Sequence, residues 1–336
     1  MHVKAVISPN GPTFSVVMQP CKMKIFDRLE NIQQPFANAV ITIGNFDGVH
    51  IGHQALFHEV IEKAESIKGT AIAMTFEPHP MRVLKQNNHP PLITLYEQKK
   101  ELIERSGINV LICVPFTKKF AALTAEEFIK DLLIKKIGMK AIIVGEDYTF
   151  GKNREGNLAV LKSYAAQMDY EVVVAAWIKA TRNASQRISS TRIRKLVMAG
   201  KIEAARKMLG RHYQIRGLVV KGRDRGGKLL GIPTANINLQ DELCPQTGIY
   251  AVTVEYQQRL YRGVANIGYS PTFNDHEFTV EVHILDFDEN IYDHNIRVNF
   301  IERIRDEKRF SGIDELKSQI HKDIKAARKI LAAYEE

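Results

Sequence analysis

Two histidines stand three residues apart in a glycine-rich stretch that joins a predicted strand to a predicted helix. Residues 39–43 are apolar and β-branched, which is typical of a buried strand, and apolar residues recur at helical spacing over 53–68. Glycines allow backbone N–H groups to approach a ligand, and the N-terminus of a helix attracts anions. Because His50 and His53 share one face of the first helical turn, the stretch predicts a phosphate-binding site rather than an ordinary surface loop.

Two further polar loops are predicted at the same edge of the sheet. Between residues 40 and 176, short apolar runs alternate with helical patterns, which indicates βαβ units and a parallel sheet. Ligands of such sheets bind beyond the carboxyl ends of the strands. The glycine-rich turn follows one predicted strand, and the loops at 76–80 and 145–154 follow two others. The three loops are therefore expected to share one site.

A single helix is predicted over 190–209, and its first turn carries positive charges where the helix dipole disfavours them. Its candidate N-caps are Ser189, Ser190 and Thr191. The same turn is basic, through Arg192, Arg194 and Lys195. Cations at a helix N-terminus are unfavourable unless an anion offsets them. A solvated basic turn is the plain alternative, but such a conflict favours a functional position.

After Gly210 the pattern changes to β-rich segments separated by turns. Such segments, at 217–222, 248–254, 259–265, 277–285 and 296–300, predict an antiparallel barrel. Apolar residues at helical spacing over 313–331 predict one amphipathic helix packed on that barrel. The predicted units are a loose N-terminal extension at 1–22, a parallel α/β domain at 23–186, a helical connector at 187–212 and a β-barrel domain with a C-terminal helix at 213–336.

A second candidate phosphate site lies at the start of the predicted barrel. Residues 217–231 contain five glycines among basic residues, and a glycine-rich basic turn can wrap phosphates. The turn lacks the GxxxxGK[ST] pattern of a P-loop, so a flexible hairpin is the alternative. Thr234 and Asn236 lie two residues apart on an extended segment, so they point to the same side. Their oxygens are hard donors of the kind that Mg²⁺ takes beside ATP phosphates. Two local hydrogen bonds in a turn are the alternative.

Composition excludes several classes of protein. The 336 residues are 45% hydrophobic and 25% charged, which is typical of a globular protein with room for two cores. No apolar run approaches the ~20 residues of a membrane span, and residues 1–22 lack the features of a secretory signal. The net charge of +9 is spread out rather than clustered, so nucleic-acid binding is not expected. Cys21, Cys113 and Cys244 form no CxxC or zinc pattern, which indicates a reduced, cytoplasmic protein.

The motifs together resemble one family, the bifunctional riboflavin kinases/FMN adenylyltransferases, or prokaryotic FAD synthetases. The first half carries GNFDGVHIGH at 44–53, TFEPHP at 75–80, GEDYTFGKNREGN at 145–157 and ISSTRIR at 188–194. The second half carries GKLLGIPTAN at 227–236, GIYAV at 248–252, NIGYSPTF at 266–273 and VEVHILDFDENIYD at 280–293. The chain departs from the family in having Asp293 after Tyr292 where glycine is usual. Aspartate tolerates left-handed geometry, so only a local change is expected.

The resemblance implies a nucleotidyltransferase domain of Rossmann-like fold, followed by a riboflavin kinase barrel. ATP would phosphorylate riboflavin to FMN, and a second ATP would transfer its adenylyl group to FMN, giving FAD and pyrophosphate. The implied ATP- and phosphate-binding residues of the first site are Gly44, Phe46, Gly48, Gly52, Asp147, Ser190, Thr191 and Arg194, with His50 and His53 as catalytic residues. Asp147 would hold either a ribose hydroxyl or a magnesium-bound water.

In the second half, the resemblance makes Glu281 the general base for the 5′-hydroxyl of riboflavin. A glutamate on a strand is otherwise more often simply solvent-facing. Gly222, Lys228 and Gly231 would bind phosphates, and Thr234 and Asn236 would bind Mg²⁺. The expected partners are riboflavin, FMN and ATP, without nucleic acid or membrane, and a homo-oligomer is left open.

Two alternative functions are weighed against this one. The letters HIGH at 50–53 also occur in class I aminoacyl-tRNA synthetases, but the KMSKS-like lysine loop of those enzymes is missing from this sequence. The charge of +9 would also suit a regulator that binds flavin or RNA without turnover. Product analysis with riboflavin and Mg-ATP discriminates between an enzyme and a regulator.

Overall fold

The strand before the glycine-rich turn lies in the centre of a parallel sheet. The computed structural model describes residues 22–85, 89–176, 178, 187–221, 231–239, 241–270 and 277–334. Its first half contains the strands β1 (Lys24–Phe26), β2 (Ala39–Ile43), β3 (Ala71–Glu77), β4 (Val110–Pro115), β5 (Met139–Gly145) and β6 (Glu171–Ala175). They pair in the order β1-β4-β3-β2-β5-β6, and every pair is parallel. The predicted parallel α/β sheet is confirmed.

Helices cover both faces of this sheet. They are α1 (Ile51–Ser66), α2 (Pro80–Lys85), α3 (Tyr96–Arg105), α4 (Lys118–Ala121), α5 (Ala125–Glu127), which continues as a π-helix (Phe128–Ile137), and α6 (Leu158–Met168), with short 3₁₀ turns at Leu29–Asn31 and Lys152–Arg154. Successive side chains of a strand point to opposite faces. Accordingly, Val40 packs with Phe57 of α1, whereas Ile41 packs with Leu133 of the π-helix. Strands buried on both sides explain the unbroken apolar runs in the sequence.

The sheet brings the predicted loops to one edge. The turn after β2, the loop after β3 and the loop after β5 all leave from carboxyl ends of parallel strands that are direct neighbours. The hydroxyl of Thr75 on β3 donates to the carbonyl oxygen of Asn45 in the turn after β2, at 3.2 Å. The prediction of a common edge is therefore confirmed.

The connector consists of two helices, so the prediction of a single helix over 190–209 was wrong. They are α7 (Ser190–Met198) and α8 (Ile202–Leu209). Ser189 is the N-cap of α7, and its hydroxyl accepts a hydrogen bond from the N–H of Arg192. The break lies at Gly200, whose φ is +66° and whose missing Cβ would lie 2.7 Å from the side chain of Arg303. Apolar periodicity continues across the break, so the pattern does not reveal it.

The second half closes into an antiparallel barrel, as predicted. Its strands are β7 (Tyr213–Val220), β8 (Ala235–Asn238), β9 (Gly248–Tyr256), β10 (Arg259–Ser270), β11 (Glu277–Ile284) and β12 (Asn295–Arg305), in the order β10-β11-β8-β7-β12-β9. Along β11, Val280, Val282 and Ile284 are buried, whereas Glu281 and His283 are partly exposed. The alternation places the two polar residues on the outer face of the barrel.

The C-terminal helix α9 (Ile313–Ala332) packs on the outside of the barrel. Ala327 and Leu331 of α9 contact a cluster that includes Ile249 and Ile301. The buried carboxylate of Asp323 accepts hydrogen bonds from Nε and Nη2 of Arg305, at 2.9 and 2.7 Å. The predicted helix packing is confirmed.

Charged residues join the two folds. Glu101 of α3 accepts hydrogen bonds from Arg216 of β7 and from Arg297 of β12, with all three donor–acceptor distances at 2.9 Å. These two arginines lower the pKa of the Glu101 carboxyl, against the opposing effect of its partial burial. Helix α3 therefore belongs to the first domain and contacts the barrel of the second.

Candidate active sites

The turn between β2 and α1 has an unusual backbone. Phe46, Gly48 and Val49 have φ angles of +46°, +85° and +37°. At Gly48 an added Cβ would lie 3.1 Å from Ile93, so both the geometry and the space require glycine there. The N–H of Gly48 donates to the hydroxyl of Thr94 at 3.0 Å. The turn is thus held in a conformation that most residues avoid.

Helix α1 begins with the two histidines. His50 is the N-cap, and its Nδ1 accepts a hydrogen bond from the N–H of His53 at 3.3 Å. The first N–H groups of a helix have no partner within the helix. Among the described residues, the N–H groups of Ile51 and Gly52 have no hydrogen-bond partner in the protein. They lie at the positive end of a 16-residue helix, where an anion binds favourably.

The two imidazole rings stack on each other. Their centroids are 3.6 Å apart at an interplanar angle of 15°, and Phe46 packs edge-on against His53. Burial lowers the pKa of His50 to about 4. Burial, followed by the nearby His50 and Lys99, also lowers the pKa of His53 well below its ordinary value. Both rings are therefore neutral near pH 7, so they are suited to donate hydrogen bonds to phosphate rather than to supply full positive charges.

Asp47 joins the turn to two other segments. Its carboxylate accepts hydrogen bonds from the N–H groups of Ile93 and Thr94, at 3.0 and 3.1 Å, and from Nη2 of Arg194, at 2.5 Å. Asp47 is almost completely buried. These contacts give Asp47 a structural role in the turn.

The first turn of α7 lies against the same loop. Ser190 donates through its hydroxyl to the carbonyl oxygen of Asp47 at 2.8 Å, and Nε of Arg194 donates to the carbonyl of Pro91 at 2.9 Å. Thr191 is exposed beside them. The structure thus brings Ser190 and Arg194 into contact with the glycine-rich turn, with Thr191 adjacent to Ser190 in the chain. Part of the Arg194 guanidinium is already bound within the protein, which sequence reasoning did not anticipate.

Asp147 lies at the same edge of the sheet but in a different local environment. Its carboxylate pairs with Nη1 of Arg187 at 2.9 Å, and both side chains are about half exposed. Within the described ranges, no hydrogen bond joins Asp147 to the glycine-rich turn. Tyr148, the next residue, stacks on Phe150 with ring centroids 5.5 Å apart.

A second cluster of polar residues lies on the outer face of the barrel. Glu281 on β11 is paired in register with Asn236 on β8 and with Asn266 on β10. Directly paired residues of neighbouring strands point to the same face. Thr234 lies two residues before Asn236 and is likewise partly buried. Gly231 is exposed with a φ of +69°, whereas Gly222 and Lys228 lie outside the described residues.

Partial burial changes the acid–base properties of Glu281. Burial raises the pKa of its carboxyl, and a hydrogen bond from Asn266 opposes that rise. A carboxylate with a raised pKa is a stronger base than a free one, which suits proton abstraction from a hydroxyl. The geometry therefore brings a base together with two oxygen donors that could bind a metal.

Comparison with known proteins assigns both halves of the chain. The FAD synthetase family matches residues 32–192, and the riboflavin kinase family matches residues 209–331. A bifunctional riboflavin kinase/FMN adenylyltransferase of Buchnera aphidicola subsp. Schizaphis graminum is 36% identical over 310 residues, which cover 91% of this chain and 98% of that protein. This chain belongs to the bifunctional riboflavin kinase/FMN adenylyltransferase family. The resemblance found in the motifs is confirmed.

Other relatives agree with this assignment. Proteins of the same name from Escherichia coli K12 and Bacillus subtilis 168 are 36% and 37% identical, covering 91% and 87% of this chain and 97% and 92% of their own lengths.

A crystal structure of a Streptococcus pneumoniae protein called a macrolide-efflux protein is 34% identical, with a TM-score of 0.80, and the match covers 91% of this chain and 98% of that one. In the part of this chain that the structure describes, no helix is long and apolar enough to cross a membrane. The predicted function is confirmed: the protein is an enzyme with riboflavin kinase and FAD synthetase activities.

Sequence reasoning missed two cations beside the glycine-rich turn of this FAD synthetase. Lys99 of α3 is only 5% exposed, and its Nζ lies 3.4 Å from the carbonyl oxygen of Asn45 and 3.9 Å from Oε2 of Glu77. Burial lowers the pKa of Lys99. Arg211, directly after the end of α8, donates to the carbonyl oxygen of Gly48. Both basic residues stand outside the motifs, so no local pattern indicated them.

The burial of His50 at the start of α1 predicts that the fold is sensitive to acid. Because the pKa of His50 is about 4 in the folded protein and 6.5 without burial, the unfolded chain binds the proton more readily below pH 6.5. The free energy of unfolding should therefore fall as the pH drops from 7 to 5, with His50 contributing roughly 2 kcal/mol of the loss. Urea denaturation at both pH values measures it. His50→Asn keeps an N-cap acceptor that does not titrate, so the free energy of unfolding of this variant should fall less between pH 7 and pH 5 than that of the wild type. Equal losses in the two proteins would contradict the contribution of His50.

Proposed function

We propose that the two reactions take place at two separate sites, with FMN adenylylation at the turn Gly44–His53 and riboflavin phosphorylation on the outer face of the barrel around Glu281. The observation that carries this division is that each constellation is assembled on its own fold. The helix N-terminus and the histidines stand at the carboxyl edge of the parallel sheet. Glu281, Asn236 and Asn266 stand side by side on three neighbouring barrel strands.

At the first site, a phosphate oxygen of FMN would attack the α-phosphorus of ATP. The bond from that phosphorus to its bridging oxygen breaks, and pyrophosphate leaves with the electron pair. The reaction requires no protein nucleophile, so catalysis rests on positioning and on stabilising negative charge. The N–H groups of Ile51 and Gly52, the dipole of α1 and the imidazoles of His50 and His53 supply the donors. The glycines Gly44, Gly48 and Gly52 keep side chains away from the phosphates.

Residues of α7 and of the loop after β5 would complete the first site. Ser190, Thr191 and the part of Arg194 that is not bound to Asp47 would face the leaving pyrophosphate. The contacts of Ser190 and Arg194 with Asp47, which join α7 to the glycine-rich turn, support this proposal. We assign Asp147 to a ribose hydroxyl or to a magnesium-bound water. Its exposed position permits either role.

At the second site, Glu281 would act as the general base. Its carboxylate takes the proton of the 5′-hydroxyl of riboflavin while that oxygen attacks the γ-phosphorus of ATP. The bond between the γ-phosphorus and the β,γ-bridging oxygen breaks, and ADP leaves with the electron pair. The raised pKa of Glu281 favours proton uptake, and the hydrogen bond from Asn266 orients the carboxylate. Gly222, Lys228 and Gly231 would bind the phosphates.

The donor set beside Glu281 fits a magnesium ion. Mg²⁺ is usually held by one or two protein oxygens together with substrate phosphates, rather than by a full protein cage. Thr234 and Asn236 offer a hydroxyl and an amide oxygen on the same outer face. The described residues contain no group of three or more His, Cys, Asp or Glu that could hold a metal. When bound, the ion would neutralise charge on the ATP phosphates.

We place the enzyme in the cytoplasm, with riboflavin, FMN and ATP as its partners. Cys113 and Cys244 are both free thiols, which supports a reducing compartment. We expect no nucleic-acid partner, because the net charge of +9 is spread along the chain rather than clustered. Some of the basic residues pair with surface carboxylates, as Lys63 does with Glu171.

Product analysis tests the proposal. Purified enzyme is incubated with riboflavin and Mg-ATP, and the flavins are separated by chromatography over time. FMN should rise first and FAD should follow, with one pyrophosphate released per FAD. Tight flavin binding without turnover would favour the regulator instead, and FAD formed from riboflavin without any FMN intermediate would contradict two successive reactions.

A further inference from the structure

Arg211 joins the connector to the glycine-rich turn. Its Nη2 donates to the carbonyl oxygen of Gly48 at 2.7 Å, and its Nη1 donates to those of Val49 and Leu209 at 3.3 and 3.4 Å. From α1, Nε2 of Gln54 donates to the same carbonyls of Val49 and Leu209, at 2.9 and 3.1 Å. Two side chains that are far apart in sequence therefore converge on the backbone directly before His50.

The backbone that Arg211 holds is strained. Val49 is β-branched and has a φ of +37°, and Phe46 has a φ of +46°, both in a region that bulky side chains rarely adopt. Such conformations persist only where the surroundings determine them strongly, and they cluster at functional sites. Asp47 and Thr94 restrain one side of the turn, through the contacts described above, and Arg211 restrains the other.

Holding a carbonyl also fixes the next N–H group. The peptide unit is planar and trans, so the carbonyl of Val49 and the N–H of His50 point in opposite directions in one plane. When Arg211 and Gln54 bind the Val49 oxygen, they orient the N–H of His50 and the start of α1. The stacked rings of His50 and His53 follow from the same backbone.

We propose that Arg211 is a positioning residue for adenylyl transfer: by binding the carbonyls of Gly48 and Val49, it fixes the backbone from which the phosphate-binding groups of α1 project. The inference rests on the proposed location of adenylyl transfer at this turn. Arg211 lies outside the segment that matches FAD synthetases, 32–192, and inside the segment that matches riboflavin kinases, 209–331. The first reaction site would thus be completed by a residue from the region that matches the other activity.

Arg211→Met and Arg211→Lys in the full chain test this proposal. The methionine variant should lose about 10²-fold in kcat for FAD formation from FMN, because misplacing a positioned group by about 1 Å has that effect. Its KM for FMN should change little, since the guanidinium of Arg211 donates to backbone carbonyls of the protein. The lysine variant keeps the charge but lacks the planar fork with which a guanidinium reaches several carbonyls, so it should fall between the wild type and the methionine variant. Guanidinium ion, added below its denaturing concentration, should partly restore kcat for FAD formation in the Arg211→Met variant.

Two controls separate positioning from a merely structural role. Riboflavin phosphorylation, measured in the same samples, should remain within about twofold, because its candidate residues lie on the outer face of the barrel. Arg206→Met, at an arginine of α8 that pairs with Glu203 on the surface, should leave both activities unchanged. Equal loss of both activities, or a raised KM for FMN with unchanged kcat, would overturn the proposal.

The same series distinguishes this inference from the proposed function. If adenylyl transfer takes place elsewhere, His53→Ala will also retain FAD formation. If the site is correct but Arg211 does not position it, His53→Ala will lose FAD formation while Arg211→Met keeps it.

Discussion

His53→Ala is expected to abolish FAD formation from FMN while the fold remains intact. In this enzyme the imidazole of His53 stacks on His50 and contacts Phe46, and its Nδ1 is buried without a hydrogen-bond partner among the described residues. Buried polar atoms without partners are rare, and a phosphate oxygen of the bound substrate would supply the partner here. Removing one such donor to a developing negative charge typically lowers kcat by about 10²–10³-fold.

The measurement is FAD production from FMN and Mg-ATP, followed by chromatography. Two controls accompany it. The riboflavin kinase activity of the same sample reports on the fold, and it should be unchanged. His58→Ala alters an exposed histidine of the same helix that pairs with Glu62, and it should leave both reactions intact. A His53→Ala enzyme that makes FAD at a near-normal rate would show that adenylyl transfer does not take place at this turn.

Glu281→Gln is expected to abolish FMN formation and to spare adenylylation. Glutamine has nearly the same shape as glutamate and can keep a contact with Asn266, but it does not accept the proton of the 5′-hydroxyl. Loss of a general base typically costs about 10²–10⁴-fold in kcat. Because the group is partly buried and its pKa is raised, the pH dependence of kcat for the kinase reaction should also lose its acidic limb in this variant.

The readout is the rate of FMN formation from riboflavin, beside the rate of FAD formation from added FMN. Glu302→Gln, at an exposed glutamate on β12 of the same barrel, is the matched control. Equal loss of both activities in Glu281→Gln would show that the sites are not separate. Retained FMN formation would assign the base elsewhere.

The central strands of the sheet could be predicted well from the sequence, whereas strand ends could not: the segment predicted at 259–265 is the start of β10, which continues to residue 270. Runs such as Ala39–Ile43 are buried on both faces, so their apolar content identifies central strands of a parallel sheet. The alternation around Glu281 correctly separates an inner face from an outer face. Asp293, where the family usually has glycine, does adopt a left-handed conformation, with a φ of +62°, as the residue type suggested.

Long-range contacts could not be predicted in the same way. The residues bound by Asp47, which are Ile93, Thr94 and Arg194, lie 46 to 147 positions away along the chain. Lys99 has the spacing of an ordinary helix residue, and its burial depends on how α3 packs. The break between α7 and α8 lies at Gly200, a glycine with a φ of +66° just past the end of α7, which is a local stop signal that apolar periodicity alone does not show.

The open sheet and the closed barrel differ in how they meet neighbouring molecules. A closed barrel presents no row of unpaired backbone groups, whereas an open sheet ends in two edge strands that can pair with another chain. In this enzyme those edges are β1, only three residues long and beginning with Lys24, and β6, which begins with Glu171 bound to Lys63. Shortness and charge are the usual protections against edge-to-edge aggregation. Strand-mediated aggregation of the folded enzyme, where it occurs, should therefore begin in the first domain rather than in the barrel.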